Sequence, residues 1–445
     1  MLRRSAIRLG AALLLFAAGS AAALAVPAIQ HWQTRNGVHV YFVETHELPI
    51  VDVEVVYAAG STRDPAGKEG TALLTAGLLD EGAAGVDANR ISFEFERLGA
   101  EYDVNSNYDS ATVSLRSLSD PEKLSPALQN FQRVISSPDF PEDAFDRQRN
   151  RLLVAIQQKE QNPDAVAGDA FEAAIYGKHP YAHPRTGTLE SVKAITRKDV
   201  ENFYKQYYVA QNAMIALVGD MKLQQAKLMT EELSRAMKSG DPAPPVPAVP
   251  PLEKASLVRI DRDTAQTHIL MGQPAMKQND PDYFPLYVGN QVLGGGGLVS
   301  RLLEEIRNKR GLSYSASSGF SPRRQAGPFV AGLSTTSAQA PQALKLMRQI
   351  IDKFIKEGPT KAELKAAKEN ITGGFPLRLD SNGKILDYVA AIGFYGLPLN
   401  YLNTFNDKVN AVTIDQIKDA FQRRMHPDRM VTVIVGPPPK PAKEK

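Results

Sequence analysis

Hydrophobic and polar positions alternate over 38–44, 51–58 and 111–116, the two-residue period of strands that bury one face. Between and after them the period changes to that of helices, over 70–79, 91–98, 126–135, 142–161 and 165–176, and a short apolar run at 214–218 reads as a further strand. The second half repeats this theme less regularly. Its counterpart of the long helix, 361–379, contains Gly373, Gly374 and Pro376, which break or bend it.

The repetition is internal duplication. ITRKDVENFYKQYYVAQNAMIALVGD begins at Ile195 and VTIDQIKDAFQRRMHPDRMVTVIVGP at Val412, an offset of 217 held without a gap. In each, an amphipathic helix runs into an apolar strand. Thr196 with Asp199, and Thr413 with Gln416, place a capping residue and its reciprocal partner at each helix start. AAIYG at 173–177 answers AIGFYG at 391–396, and Gly99 with Tyr102 answers Gly311 with Tyr314. Between the halves, DPAPPVPAVPP is extended and stiff, as an interdomain linker would be. The predicted architecture is α+β: two duplicated domains, each a mostly antiparallel sheet flanked by helices. The predicted boundaries are a signal peptide at 1–25, domains at 26–240 and 254–436, a linker at 241–253 and a disordered tail at 437–445.

Composition narrows the setting. A chain of 445 residues exceeds what one core usually supports, and 43% hydrophobic with 23% charged residues is ordinary for a globular protein. Arg3, Arg4 and Arg8 precede an uncharged apolar core at 9–18, and Ala23-Leu24-Ala25 supplies the small residues of a cleavage site, so export to a periplasm or beyond as a soluble protein is expected. The apolar run is short for a membrane span. With no cysteine, the chain carries neither a disulfide nor a lipoprotein anchor. Losing the leader removes three arginines and no acid, leaving 49 bases against 49 acids and a formal charge of zero. That balance makes no electrostatic case for nucleic acid or an anionic membrane.

The candidate chemistry lies in SRLLEEIRNKRGLSYS, Ser300 to Ser315. Leu302, Leu303 and Ile306 recur at helical spacing, Gly311 supplies the left-handed residue that ends a helix, and 313–317 alternates as a strand would. Arg307 and Tyr314 then flank one turn, close after the glycine run Gly294, Gly295, Gly296 and Gly297. That run lacks the lysine and hydroxyl of a phosphate loop and instead permits close approach of an extended peptide or of the opposing domain. His179 and His183 have metal-pair spacing, but Pro180 and Pro184 preclude a regular helix there.

On Arg307 and Tyr314 at this spacing, and on the duplicated helix-strand ends, the chain resembles the pitrilysin/insulinase-type zinc peptidases, in their mitochondrial-processing-peptidase-like branch. The resemblance implies an arginine and a tyrosine that hold substrate carbonyls, and a helix in the first half bearing His-x-x-Glu-His. The matching helix here reads GTALLTAGLLDEGA. Aligned on Gly70, the two ligand positions become Leu73 and Gly77 and the general-base position becomes Ala76. The third ligand, a glutamate in the family, falls near 153–155, where no acid stands. The resemblance therefore implies a non-catalytic subunit with no metal or cofactor of its own. A zinc-bearing homologous subunit would be its partner, the two closing around a peptide to which this chain brings Arg307 and Tyr314. The alternatives are a catalytically silent peptide-binding or scaffold protein of the same fold and a stand-alone enzyme with an unrelated site.

Overall fold

The structure, a computed structural model, describes residues 28–438. The expected leader and most of the expected tail lie outside the described residues. The first half builds a six-stranded sheet in the order Gln30–Gln33, His39–Glu44, Ala213–Gly219, Ile50–Tyr57, Ala111–Leu118, Glu101–Ser106. The second builds a five-stranded sheet in the order Ser315–Phe320, Gly327–Thr335, Thr267–Met276, Val431–Gly436, Ser256–Asp261. In both, the last strand of the half inserts at the same place. Ala213–Gly219 runs parallel to His39–Glu44, Val431–Gly436 runs parallel to Ser256–Asp261, and the other strand pairs in both sheets are antiparallel. These two inserted strands are buried at every residue, because each has a covered sheet face on either side; AMIALVG and VTVIVG are continuous apolar runs for that reason.

Each sheet has its own helices on one face. In the first half that core includes Val53, Leu78, Phe131, Phe145 and Leu217; in the second it includes Met271, Leu302, Phe329, Phe354 and Phe421. The opposite faces are covered reciprocally. Helix Pro163–Tyr176 of the first half lays Ala167, Phe171 and Ile175 on Val431, Val433 and Val435 of the second sheet. Helix Asn382–Tyr395 of the second half lays Ile385, Leu386 and Val389 on Val43, Val56 and Val218 of the first. Neither sheet buries its inner face without the other half, so the exchange of helices ties the halves together.

A buried polar knot closes the same interface. Asp109 accepts from the Tyr181 hydroxyl at 2.6 Å, the Tyr395 hydroxyl at 3.2 Å and the Arg324 amide at 2.8 Å. Arg323 reaches across to both carboxylate oxygens of Glu172, at 2.6 and 3.1 Å, and lies over the rings of Tyr108 and Tyr181.

Several boundaries depart from expectation. The helix expected over 70–79 is α-helical only across Thr71–Ala76, because Gly77 caps it and the chain continues in tighter turns. The strand expected from 313 begins at Ser315, since the Ser313 hydroxyl is turned back to the carbonyls of Ser315 and Ser334. The long second-half helix ends at Gly374, followed by a 3-10 turn at Pro376–Arg378. Both capping boxes, Thr196 with Asp199 and Thr413 with Gln416, form as the sequence indicated.

Candidate functional site

The segment that carries Arg307 and Tyr314 is wound irregularly. Gln291–Gly295 and Glu304–Asn308 are π-helical turns on either side of a three-residue α-turn, Arg301–Leu303. Such turns recur at functional positions because the wider coil redirects side chains. Leu302, Leu303 and Ile306 point into the second core as their spacing predicted. The helix then stops in a left-handed turn one residue wider than a Schellman motif: the Gly311 amide donates to the Arg307 carbonyl at 2.8 Å and the Leu312 amide to the Ile306 carbonyl at 2.9 Å, with Gly311 at φ +59°. Buried Ile306 and Leu312 supply the apolar contact that goes with this ending.

The turn brings Arg307 and Tyr314 together. The guanidinium carbon lies 4.7 Å from the centre of the Tyr314 ring, and the tyrosine is 79% exposed. Nearby acids are otherwise engaged: Glu305 pairs with Lys309 and Arg310, which hold its carboxyl below the usual range, and Glu304 accepts from Asn308. Among the described residues the Arg307 guanidinium has no ion pair or hydrogen bond; its contact is the ring. A donor fork and a phenol hydroxyl thus stand side by side at the surface, groups that can donate to carbonyl oxygens.

The glycine run has a packing basis of its own. A Cβ on Gly294 would lie 2.3 Å from the Ser318 hydroxyl and 2.4 Å from its amide nitrogen, so the residue must be small for the π-turn to lie against strand Ser315–Phe320. Asn290 fastens the same contact, donating to the Ser318 carbonyl and accepting from its hydroxyl. Gly295 and Gly296 crowd Asn290 and Gln291, whereas Gly297, at φ +60°, faces open space. Just beyond it Leu298 and Val299 are largely exposed, a feature sequence reading passed over because two apolar residues carry no periodicity.

The residues at the zinc positions do not fit a metal. Leu73 packs against the first core, Ala76 is buried, Gly77 caps the helix and Leu153 packs against the same core. Where the chemistry needs three donors and a base there are three hydrocarbon side chains and a glycine. Among the described residues no cluster of three or more histidines, aspartates or glutamates is arranged to hold a metal ion. Sequence reading missed Asp64, which accepts from the Gly70 and Ala72 amides at 2.8 and 2.7 Å and so caps this helix from a distance. Burial pushes its carboxyl up to about 7. His179 and His183 are held to backbone: His179 Nδ1 accepts from the Tyr181 amide, its Nε2 donates to the Pro247 carbonyl, and His183 contacts the Pro184 carbonyl.

A duplicated α+β chain with reciprocally exchanged helices defines a class of two-lobed peptidase folds, and comparison with known proteins identifies which. The description "Insulinase (Peptidase family M16)" matches residues 39–189, and "Peptidase M16 inactive domain" matches 194–371. A crystal structure from Pseudomonas fluorescens described as a peptidase M16 inactive domain is 38% identical, with a TM-score of 0.89, covering 92% of this chain and 98% of that one. A Helicobacter pylori protein named "Non-peptidase homolog YmxG" is 26% identical over 418 residues, 93% of this chain and 95% of the relative. A Mycobacterium leprae relative, "Uncharacterized zinc protease ML0855", is 25% identical over 89% of each chain. The chain belongs to the M16 family. Among the described residues no helix is long and apolar enough to cross a membrane.

Proposed function

We propose that this chain is the non-catalytic subunit of a heterodimeric, exported zinc endopeptidase, and that it presents Arg307 and Tyr314 to peptide held at a partner's metal. The observation that carries the reading is the contrast within one chain: the zinc positions carry no donor, while half-buried Arg307 and exposed Tyr314 stand together, with the guanidinium free of ion pairs among the described residues. In the assembled enzyme the partner's zinc would activate water, and the two donors here would hold the substrate carbonyl and meet negative charge as it develops. Gly297 and the glycine run before it would let an extended peptide lie close, beside the exposed Leu298 and Val299. Names among the relatives include both "zinc protease" and "non-peptidase homolog", a division expected where active and inactive chains share a family.

The test is co-expression with a zinc-bearing M16 relative from the same genome. We expect a stoichiometric heterodimer, no tightly held zinc in this chain alone, and peptide turnover by the pair. Removing a positioned oxyanion donor typically costs on the order of 100- to 1,000-fold. Because the two groups share a carbonyl, Arg307→Ala and Tyr314→Phe are each expected to lower turnover by at least about tenfold without loss of assembly. Wild-type turnover in both variants would reduce the pair to ordinary surface residues. Failure to assemble with any such relative would favour a silent peptide-binding or scaffold role.

A further inference from the structure

An open groove of about 610 Å³ lies where the first sheet, the linker and the second half meet, and its wall contains Arg63, Arg324 and His39 but no aspartate or glutamate. Its shape is well fixed. The Asn212 side chain accepts from the Ala243 amide, Gln325 donates to the Val246 carbonyl and His179 donates to the Pro247 carbonyl, so the proline-rich linker is pinned as one wall.

The two arginines in this groove are poorly satisfied. Arg63 ends the 3-10 turn Ser61–Arg63, and its side chain has no hydrogen bond or ion pair among the described residues; its Nε is buried without a partner. Burial lowers the guanidinium's affinity for its proton, and neighbouring Arg324 lowers it further against the opposing pull of Tyr207 and Asp109. Arg324 lies over the Phe394 ring at 4.3 Å and donates one Nη to the Phe394 carbonyl, but its Nε is likewise buried and unpartnered. The nearby acid, Asp109, already accepts from two tyrosine hydroxyls and the Arg324 amide. Two like charges face a groove without an acid on its wall, and Asp109 attracts Arg63 without forming an ion pair to either guanidinium among the described residues, so their repulsion and lost hydration are only partly offset in the empty protein. An oxyanion between them would supply acceptors for the open Nη groups and remove the repulsion, and the guanidinium fork matches the geometry of carboxylate and phosphate.

We propose that this groove is an anion-binding site that takes a carboxylate or phosphate group between Arg63 and Arg324. It is independent of the Arg307–Tyr314 pair and of any partner subunit.

The experiment is calorimetric and thermal titration of the mature chain with inorganic phosphate, with a short peptide ending in a free carboxylate, and with the same peptide amidated. Binding of phosphate assigns the site to phosphate; binding of the free acid but not the amide assigns it to a carboxyl terminus. Absence of binding by both anions at concentrations on the order of 10 mM overturns the proposal. Arg63→Met keeps the apolar stem and removes the charge. We expect it to weaken anion affinity at least tenfold and to abolish the anion-dependent rise in melting temperature, while the ligand-free variant melts at or above wild type. A structural arginine would behave oppositely, its loss lowering the melting temperature while anion binding persisted. Should Arg63→Met not fold, Arg63→Lys retains the charge without the fork, and unchanged anion affinity in it would equally overturn the assignment.

Discussion

Phe95 and Tyr102 in the first half correspond to Arg307 and Tyr314 in the second: each pair is seven residues apart, and between them Gly99 at φ +64° and Gly311 at φ +59° make the same left-handed stop. The first pair is core. Phe95 is 5% exposed and stacks on Tyr102 at 5.3 Å, with Phe131 set edge-on to the tyrosine. In the second pair Tyr314 stands in solvent under a half-buried Arg307, a cation over a ring. One backbone device therefore carries an apolar contact in one half and a surface donor pair in the other. The difference lies in the helix before the turn. Ala88–Glu96 is a regular α-helix capped by Asp87, whereas the second-half counterpart is preceded by glycines and wound as π-turns. Geometry duplicated in evolution is retained by both halves; the chemistry has gone to only one of them.

The largest effect should come from breaking the buried member. Phe95→Ala removes a buried aromatic ring and is expected to cost about 3–5 kcal/mol in chemical denaturation, whereas Arg307→Ala should cost under about 0.5 kcal/mol. Equal losses would mean the two pairs are equally structural.

A second test uses the inner faces. Strand register pairs Glu54 with Ala216, and Leu270 with Val433, so Glu54 in the first sheet stands where the second has Leu270. Burial raises the Glu54 carboxyl to about 7, with Asp387 of the opposing helix and Asp103 adding to the shift; Asp52, Glu101 and Arg116 line, together with Glu54, a second groove distinct from that of Arg63 and Arg324. The folded protein therefore holds a proton that the unfolded chain, titrating near 4.5, releases. The Glu54 contribution to stability is fully present below that unfolded value, is lost as pH rises to about 7, and levels off above it. After allowance for residual exposure, the loss between pH 5 and 8 should be about 1–2 kcal/mol. Glu54→Gln should remove a large part of that slope, leaving the share due to Asp64, which titrates in the same window. An unchanged slope would place the titration elsewhere.

The left-handed stops offer a third. Gly99→Ala and Gly311→Ala should each cost roughly 1–2 kcal/mol, since neither position has a steric neighbour and the penalty is backbone strain alone. Clearly unequal losses would mean that packing around one turn, and not its dihedral, dominates. The smallest effect expected is at the repeated caps. Thr196→Ala and Thr413→Ala should each lose about 1 kcal/mol or less, read by thermal melts, because each removes one side-chain bond to a helix-terminal amide.

Much of the fold was legible because its signals are local. The 217-residue offset, both capping boxes and the apolar inserted strands all rest on neighbours in the chain. The polar edge strand Glu101–Ser106 and the short Gln30–Gln33 went unread, since an edge strand need bury little and the alternation in EYDVNS rests on Tyr102 and Val104 alone. At the candidate site the vacated zinc positions were visible as residue types. The packing basis of Gly294 was not, because the strand residue it touches, Ser318, lies 24 positions further on.

By itself the sequence determined that there are two related halves, that the first has lost the donors of a metal site, and that Arg307 and Tyr314 flank a turn. Only the tertiary structure decided which sheet each linking helix covers, that Tyr314 is exposed where Tyr102 is packed, and that Arg63 and Arg324 converge on one groove. The reason is physical: periodicity reveals which face of an element is apolar, but not which distant surface will bury it. Convergence of two like charges 261 positions apart is a property of the interface between halves, which no local pattern encodes.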